Sequence, residues 1–126
     1  MKSVSLRVLE GEFAVWKLPR DTPLSEIGDA PFLSITRTAT ELSIVGPADQ
    51  VPDGAPVETG WACLEVQGPL AFELTGVLAG ISAPLAAAGV PIFVVSTFDT
   101  DYVLVHSAHL GRAVQALEAA GHSVEG

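Results

Sequence analysis

WACLEVQGPLAFELTGVLAGISAPLAAAGVPIFVVSTFDTDYVLVHSAHLGRAVQALEAAGHSVEG, residues 61 to 126, alternates between two hydrophobic periods, and the order of those periods decides the fold. Trp61 to Val66 is a short strand ended by Gln67-Gly68-Pro69. Leu74, Val77, Leu78, Ile81, Leu85 and Ala88 then recur at the three- and four-residue steps of a helical stripe, closed by Gly89 as a left-handed cap. Pro84 lies inside that stripe, where it lacks an amide donor and crowds the preceding turn, so a bent helix is expected. Pro91 to Thr97 and Thr100 to His106 are β-branched and apolar, as two strands joined by a bend at Phe98 and Asp99. Ser107 is a candidate cap for a second helix carrying Leu110, Ala113, Val114, Leu117 and Ala120. Gly121 ends that helix, and Ser123 to Glu125 closes the pattern as an edge strand.

Working back toward the start, the N-terminal half is dominated by strands: Val4 to Leu9, Glu12 to Leu18 after a Glu10-Gly11 turn, Phe32 to Thr36 and Glu41 to Val45. Its helices shrink to one poor candidate, Pro23 to Ile27, and a turn near Ala48. The halves echo each other at a shift of 60 positions, which lays Pro31 on Pro91, Thr40 on Thr100 and Val45 on Val105. The expected architecture is therefore α+β, two ferredoxin-like βαββαβ modules side by side. The first, residues 1–59, is degenerate and strand-rich; the second is residues 60–126, with Pro52 to Pro56 near the junction.

Composition narrows the function classes. A chain of 126 residues can bury one core without disulfides, and its single cysteine, Cys63, cannot form an internal one. A cytoplasmic setting follows as the expectation. The net charge is −9, and five of the six basic residues lie in the first 37 positions, a field that repels phosphate backbones and anionic lipid. Neither nucleic acid nor membrane is an expected partner, and no apolar run reaches the roughly 20 residues that span a bilayer. A hydrophobic share of 48% favours association with a second copy, a homodimer.

Catalytic chemistry is hard to assemble from this chain. His106, His109 and His122 lack a third metal ligand nearby and are expected as half-exposed residues at helix ends. Cys63 sits between apolar neighbours without a positive charge, as a core thiol. Trp16 and Trp61 are expected to pack on the sheet. With no nucleophile-base pair, no metal set and no cofactor motif, the chain is expected to be non-enzymatic and to use no cofactor. Two loops carry polarity instead. Gln67 to Thr75 runs from a strand into a helix, where free amides suit a small anion. Ser96 to Tyr102 holds Asp99 and Asp101 among three hydroxyls, which suits an ammonium or guanidinium group. Each is also an ordinary connection, since Asp and Thr favour bends. Together they offer the two polarities of an amino-acid zwitterion.

The run from Gly60 to His122, with FLSITRTATELSIV at residues 32–45, resembles the small tandem-ACT proteins related to CASTOR-type arginine sensors and to the regulatory ACT pair of aspartate kinases. That resemblance implies a non-catalytic module that binds an amino acid at an ACT-module interface, commonly as a homodimer, and regulates a protein partner. It also implies a site made of Gln67, Gly68, Pro69 and Leu70 on one side, and Val95, Ser96, Thr97, Asp99 and Asp101 on the other. The competing reading is an ACT-like dimerisation scaffold without a ligand.

Overall fold

The computed structural model describes residues 3–68 and 76–126. Its elements in chain order are β1 (Ser5–Val8), β2 (Phe13–Leu18), β3 (Ser34–Arg37), β4 (Leu42–Pro47), β5 (Val57–Val66), α1 (Val77–Ala87), β6 (Ile92–Ser96), β7 (Asp101–His106), α2 (Leu110–Ala119) and β8 (Ser123–Glu125). Short 3-10 turns occupy Leu24–Glu26, Ala48–Gln50 and Ser107–His109. The architecture is mixed α+β and divides into two compact units, Gly11–Gly60 and the segment up to Glu10 joined with Trp61–Gly126.

In the C-terminal unit, β5, α1, β6, β7, α2 and β8 follow the order βαββαβ. Across the sheet the strands run β6-β7-β5-β1-β8, so the first strand of the chain lies between the first and last strands of that pattern. Leu6 pairs with Val66 on one side, antiparallel, and with Val124 on the other, parallel. Chain order alone places this strand with the N-terminal half; its hydrogen bonds place it here. Strand alternation sends Leu6, Ala62, Leu64, Val66, Val103 and Val105 to one face, where α1 and α2 cover them with Ile81, Leu85, Ala113 and Leu117. Ile81, Leu85 and Leu117 are fully buried, each contributing about 1.5–3 kcal/mol.

Both helices end the same way. Gly89 and Gly121 take φ of +73° and +100°, and the amides that follow, Val90 and His122, donate to Leu85 and Leu117. At the other end, α2 starts at Leu110 rather than on Ser107. Residues 107–109 form the 3-10 turn, and no side chain caps the helix. Pro84 sits within α1, which continues through it. Because Pro84 has no N–H, the Gly80 carbonyl loses its normal helical donor. His122 replaces that donor, its Nε2 lying 2.8 Å from the Gly80 oxygen while its Nδ1 accepts from the Val4 amide at 3.1 Å. These partners fix the tautomer, since a carbonyl can only accept and an amide can only donate. His122 is thus a buried structural bolt, not the half-exposed helix-end residue its position suggests. The sequence hides this, because the partner is the Gly80 carbonyl 42 positions away, left free by Pro84.

In the N-terminal unit the strands run β3-β4-β2 and then the first residues of β5. Ala14, Trp16, Leu42 and Ile44 form its core, with Ile27, Leu33 and Ile35 packed against them. Trp16 is a packing residue, as expected. The β3–β4 turn and the β6–β7 turn share one hydrogen-bond pattern. Thr38 N donates to Glu41 O as Thr97 N does to Thr100 O, and the Thr38 and Thr97 hydroxyls accept the amides of Glu41 and Thr100. Those turns lie 59 positions apart, one fewer than the sequence echo suggests.

Candidate functional site

The sequence-derived site gathers at one end of the C-terminal unit's sheet. Thr100, buried in the β6–β7 turn, donates its hydroxyl to the Val66 carbonyl at 2.6 Å, which holds the turn against the end of β5. Gln67 and Gly68 follow directly and are exposed. The Gln67 amide is already used, donating to Ser5 O at 2.8 Å, so a ligand there would meet the Gln67 side chain and Gly68. Pro69 and Leu70 lie outside the described residues.

On the other side, Ser96 and Asp101 are paired across β6 and β7, and the serine hydroxyl donates to Asp101 Oδ1 at 2.5 Å. Thr97 is occupied by the turn itself, donating its hydroxyl to Thr100 O. Asp99 is exposed at the tip. Val95 pairs with Tyr102, and alternation turns it to the face opposite Ile92 and Val94, which pack in the helix-covered core. The fold therefore brings Gln67, Gly68, Ser96, Thr97, Asp99 and Asp101 to one sheet end and leaves Val95 on the other face. Sequence reasoning passed over Thr100, whose Thr97-to-Thr100 spacing is its signal.

The face opposite the helices carries a charged row that the sequence did not reveal. Arg7, Glu65 and Tyr102 lie in register across β1, β5 and β7. Arg7 Nη2 donates to Glu65 Oε1 at 2.8 Å, and the Tyr102 hydroxyl donates to Glu65 Oε2 at 2.9 Å. Burial first, then the hydrogen bond to Glu65 and its negative charge, push the Tyr102 phenol up to about 12. Cys63, also buried, is pushed up to about 12 by desolvation with a smaller contribution from Glu65. It is an inert core thiol. Nearby, Trp61 stacks on His106 with centroids 3.9 Å apart and meets Phe93 edge-on at 4.7 Å. Its buried indole N–H has no hydrogen-bond partner among the described residues. His109 accepts from Arg112, which also donates to the Ala88 carbonyl at the end of α1. Among the described residues no group of three or more His, Cys, Asp or Glu is placed to hold a metal ion, and no helix is long and apolar enough to cross a membrane.

A family profile described as an ACT domain matches residues 57–119, half of the chain. The chain belongs to the ACT domain family. A second profile, for an N-terminal domain, matches residues 11–54. The crystal structure of a protein from Agrobacterium tumefaciens is similar at 39% identity and a TM-score of 0.90, covering 98% of this chain and 93% of that one. The ligand-free regulatory subunit of aspartate kinase from Thermus thermophilus has a TM-score of 0.69 at 16% identity, covering 95% and 99%, a likeness of fold. The cytosolic arginine sensor for mTORC1 subunit 1 of Homo sapiens is 36% identical over 59 residues, 46% of this chain and 18% of the sensor. This ACT chain thus matches under a fifth of the length of that curated relative.

Proposed function

We propose that this ACT protein is a cytoplasmic, non-catalytic regulatory module that binds a small amino acid and signals its occupancy to a protein partner. Gln67, Gly68, Pro69 and Leu70 supply the ligand residues of the strand-to-helix connection; Ser96, Thr97, Asp99 and Asp101 supply those of β6 and its turn. The observation that supports this reading is the Thr100–Val66 hydrogen bond, which holds the β6–β7 turn against the end of β5, just before Gln67 and Gly68. With Val95 on the opposite sheet face, its contribution is to position β6 rather than to touch the ligand. The protein works as a homodimer, for which β6 offers an open edge: among the described residues it pairs only with β7. The modules 1–59 and 60–126 are the two halves of an ancestral duplication, with β1 lent to the second sheet. Ligand binding regulates by favouring one arrangement of the dimer over another.

Calorimetric titration with each of the common amino acids tests the reading. Saturable heat with at least one, lost in Asp99→Asn, supports it; silence from all at millimolar concentration overturns it. Asp99 is the informative position because Asp101 also holds Ser96, so its replacement disturbs the turn. A second reading, a dimerisation scaffold without a ligand, draws on the same turn: Asp101 already accepts from Ser96, and Thr97 and Thr100 satisfy each other. It expects an intact dimer indifferent to every amino acid.

A further inference from the structure

The slot between β5 and β8 is filled by β1, a strand that enters it from the other end of the chain. Gln67 N donates to Ser5 O at 2.8 Å, Ser123 N to Val4 O at 3.1 Å, and Leu9 N to Cys63 O at 2.9 Å. Leu6 is fully buried in the helix-covered core, with Val4 and Val8 packed against it. Among the described residues β8 pairs with no strand but β1, so an empty slot would strand β8 and leave a hole where Leu6 sits. Ser5 and Ser123, whose hydroxyls meet at 3.0 Å, are 118 positions apart. Closing β1 onto its own β5 therefore spans a loop that contains the whole Gly11–Gly60 unit, at a cost in chain entropy. The joint between β1 and β2 is short and turns at Gly11, whose φ is +91° although the space where a Cβ would sit is open. Glycine is needed there for the bend alone. A short joint held in a bend invites exchange, because straightening it carries the strand outward toward an identical slot.

We propose that two copies of this chain exchange β1, each supplying the strand that completes the other's C-terminal unit. The bonds that β1 makes to β5, β8 and His122 are all kept in the exchanged pair, so the cost is confined to association and to the two Gly11 joints. The second copy then reaches the candidate site, since the partner's Ser5 carbonyl takes the Gln67 amide at the end of β5. Exchange needs neither a bound ligand nor the β6 edge, so it stands apart from the ligand reading.

The exposed Ser5–Ser123 contact supplies the test. Chains carrying Ser5→Cys or Ser123→Cys are mixed, unfolded together in urea with reductant, refolded and only then oxidised; Cys63 is buried and stays out of the reaction. A disulfide joining one chain of each kind forms only where β1 of one copy lies against β8 of the other, and random pairing sets the expected yield at about half of the chains. A single chain with both substitutions controls for geometry. If that chain closes its own disulfide as a monomer while the mixture yields no mixed dimer, the proposal is overturned. Isotope-filtered NOE spectra on a mixture of labelled and unlabelled copies of the unaltered chain ask the same question without cysteines. Contacts between copies from Leu6 to Val66 and Val124 are expected. Their absence overturns the exchange, and a dimer that lacks them is joined elsewhere, as at the β6 edge.

Discussion

Replacing His122 by alanine is expected to be among the most damaging single changes in this protein, although the residue sits three positions beyond the end of α2. Its ring satisfies the Val4 amide at 3.1 Å and the Gly80 carbonyl at 2.8 Å, and alanine leaves both without a partner. An unsatisfied buried polar group costs about 1–3 kcal/mol. The Val4 bond is only part-buried and falls at the low end, and the lost imidazole adds a cavity. The sum is about 3–5 kcal/mol, a large share of the stability of a small domain. In urea denaturation this corresponds to a midpoint lowered by about 1–5 M, using the usual slope of about 1–3 kcal/mol/M for small proteins. The proline supplies a sharper control. Pro84→Ala restores an amide donor to Gly80 through the ordinary helical bond, so it should stabilise the His122→Ala protein more than the unaltered one. We expect the difference to be about 1–2 kcal/mol in a double-mutant cycle. A His122→Ala cost below about 1 kcal/mol, or additivity within about 0.5 kcal/mol, would refute the reasoning.

Tyr102 is the chain's only tyrosine, so absorbance at alkaline pH reads it alone. Its midpoint is expected near 12 rather than 10, moving down in Glu65→Gln, which keeps an acceptor but removes the charge. The sign follows from linkage: the folded phenol holds its proton to higher pH than the unfolded one, so its stabilisation is complete below about pH 10 and is lost as pH rises through about 12. Cys63, raised to about 12, should resist alkylation at pH 8 in the folded protein and react promptly in urea; equal rates would contradict its burial. Thr100→Val removes the hydroxyl donor to Val66 O and is expected to cost about 1 kcal/mol by thermal denaturation, with broadened amide signals at Gln67 and Gly68. Gly121→Ala meets only ordinary contact with Ser3 but keeps a φ of +100°, so about 1 kcal/mol should be lost from backbone strain alone.

What the sequence determined by itself was local. Periods of two and 3.6 residues located the strands and helices of the C-terminal unit to within a few positions, and Gly89 and Gly121 marked the helix ends, because backbone conformation and one-sided burial leave their imprint on neighbouring residues. Asp99, Asp101 and the hydroxyls around them announced a polar turn for the same reason. The tertiary structure decided whatever depends on partners far apart in the chain. It alone placed β1 between β5 and β8, joined Arg7 to Glu65 and Tyr102, and gave Val95 to the opposite face. His122 shows the physical reason most plainly: hydrogen-bonding capacity is written in each residue, but whether it is spent on water or on a carbonyl that a proline has left unpaired is settled only when the chain is packed.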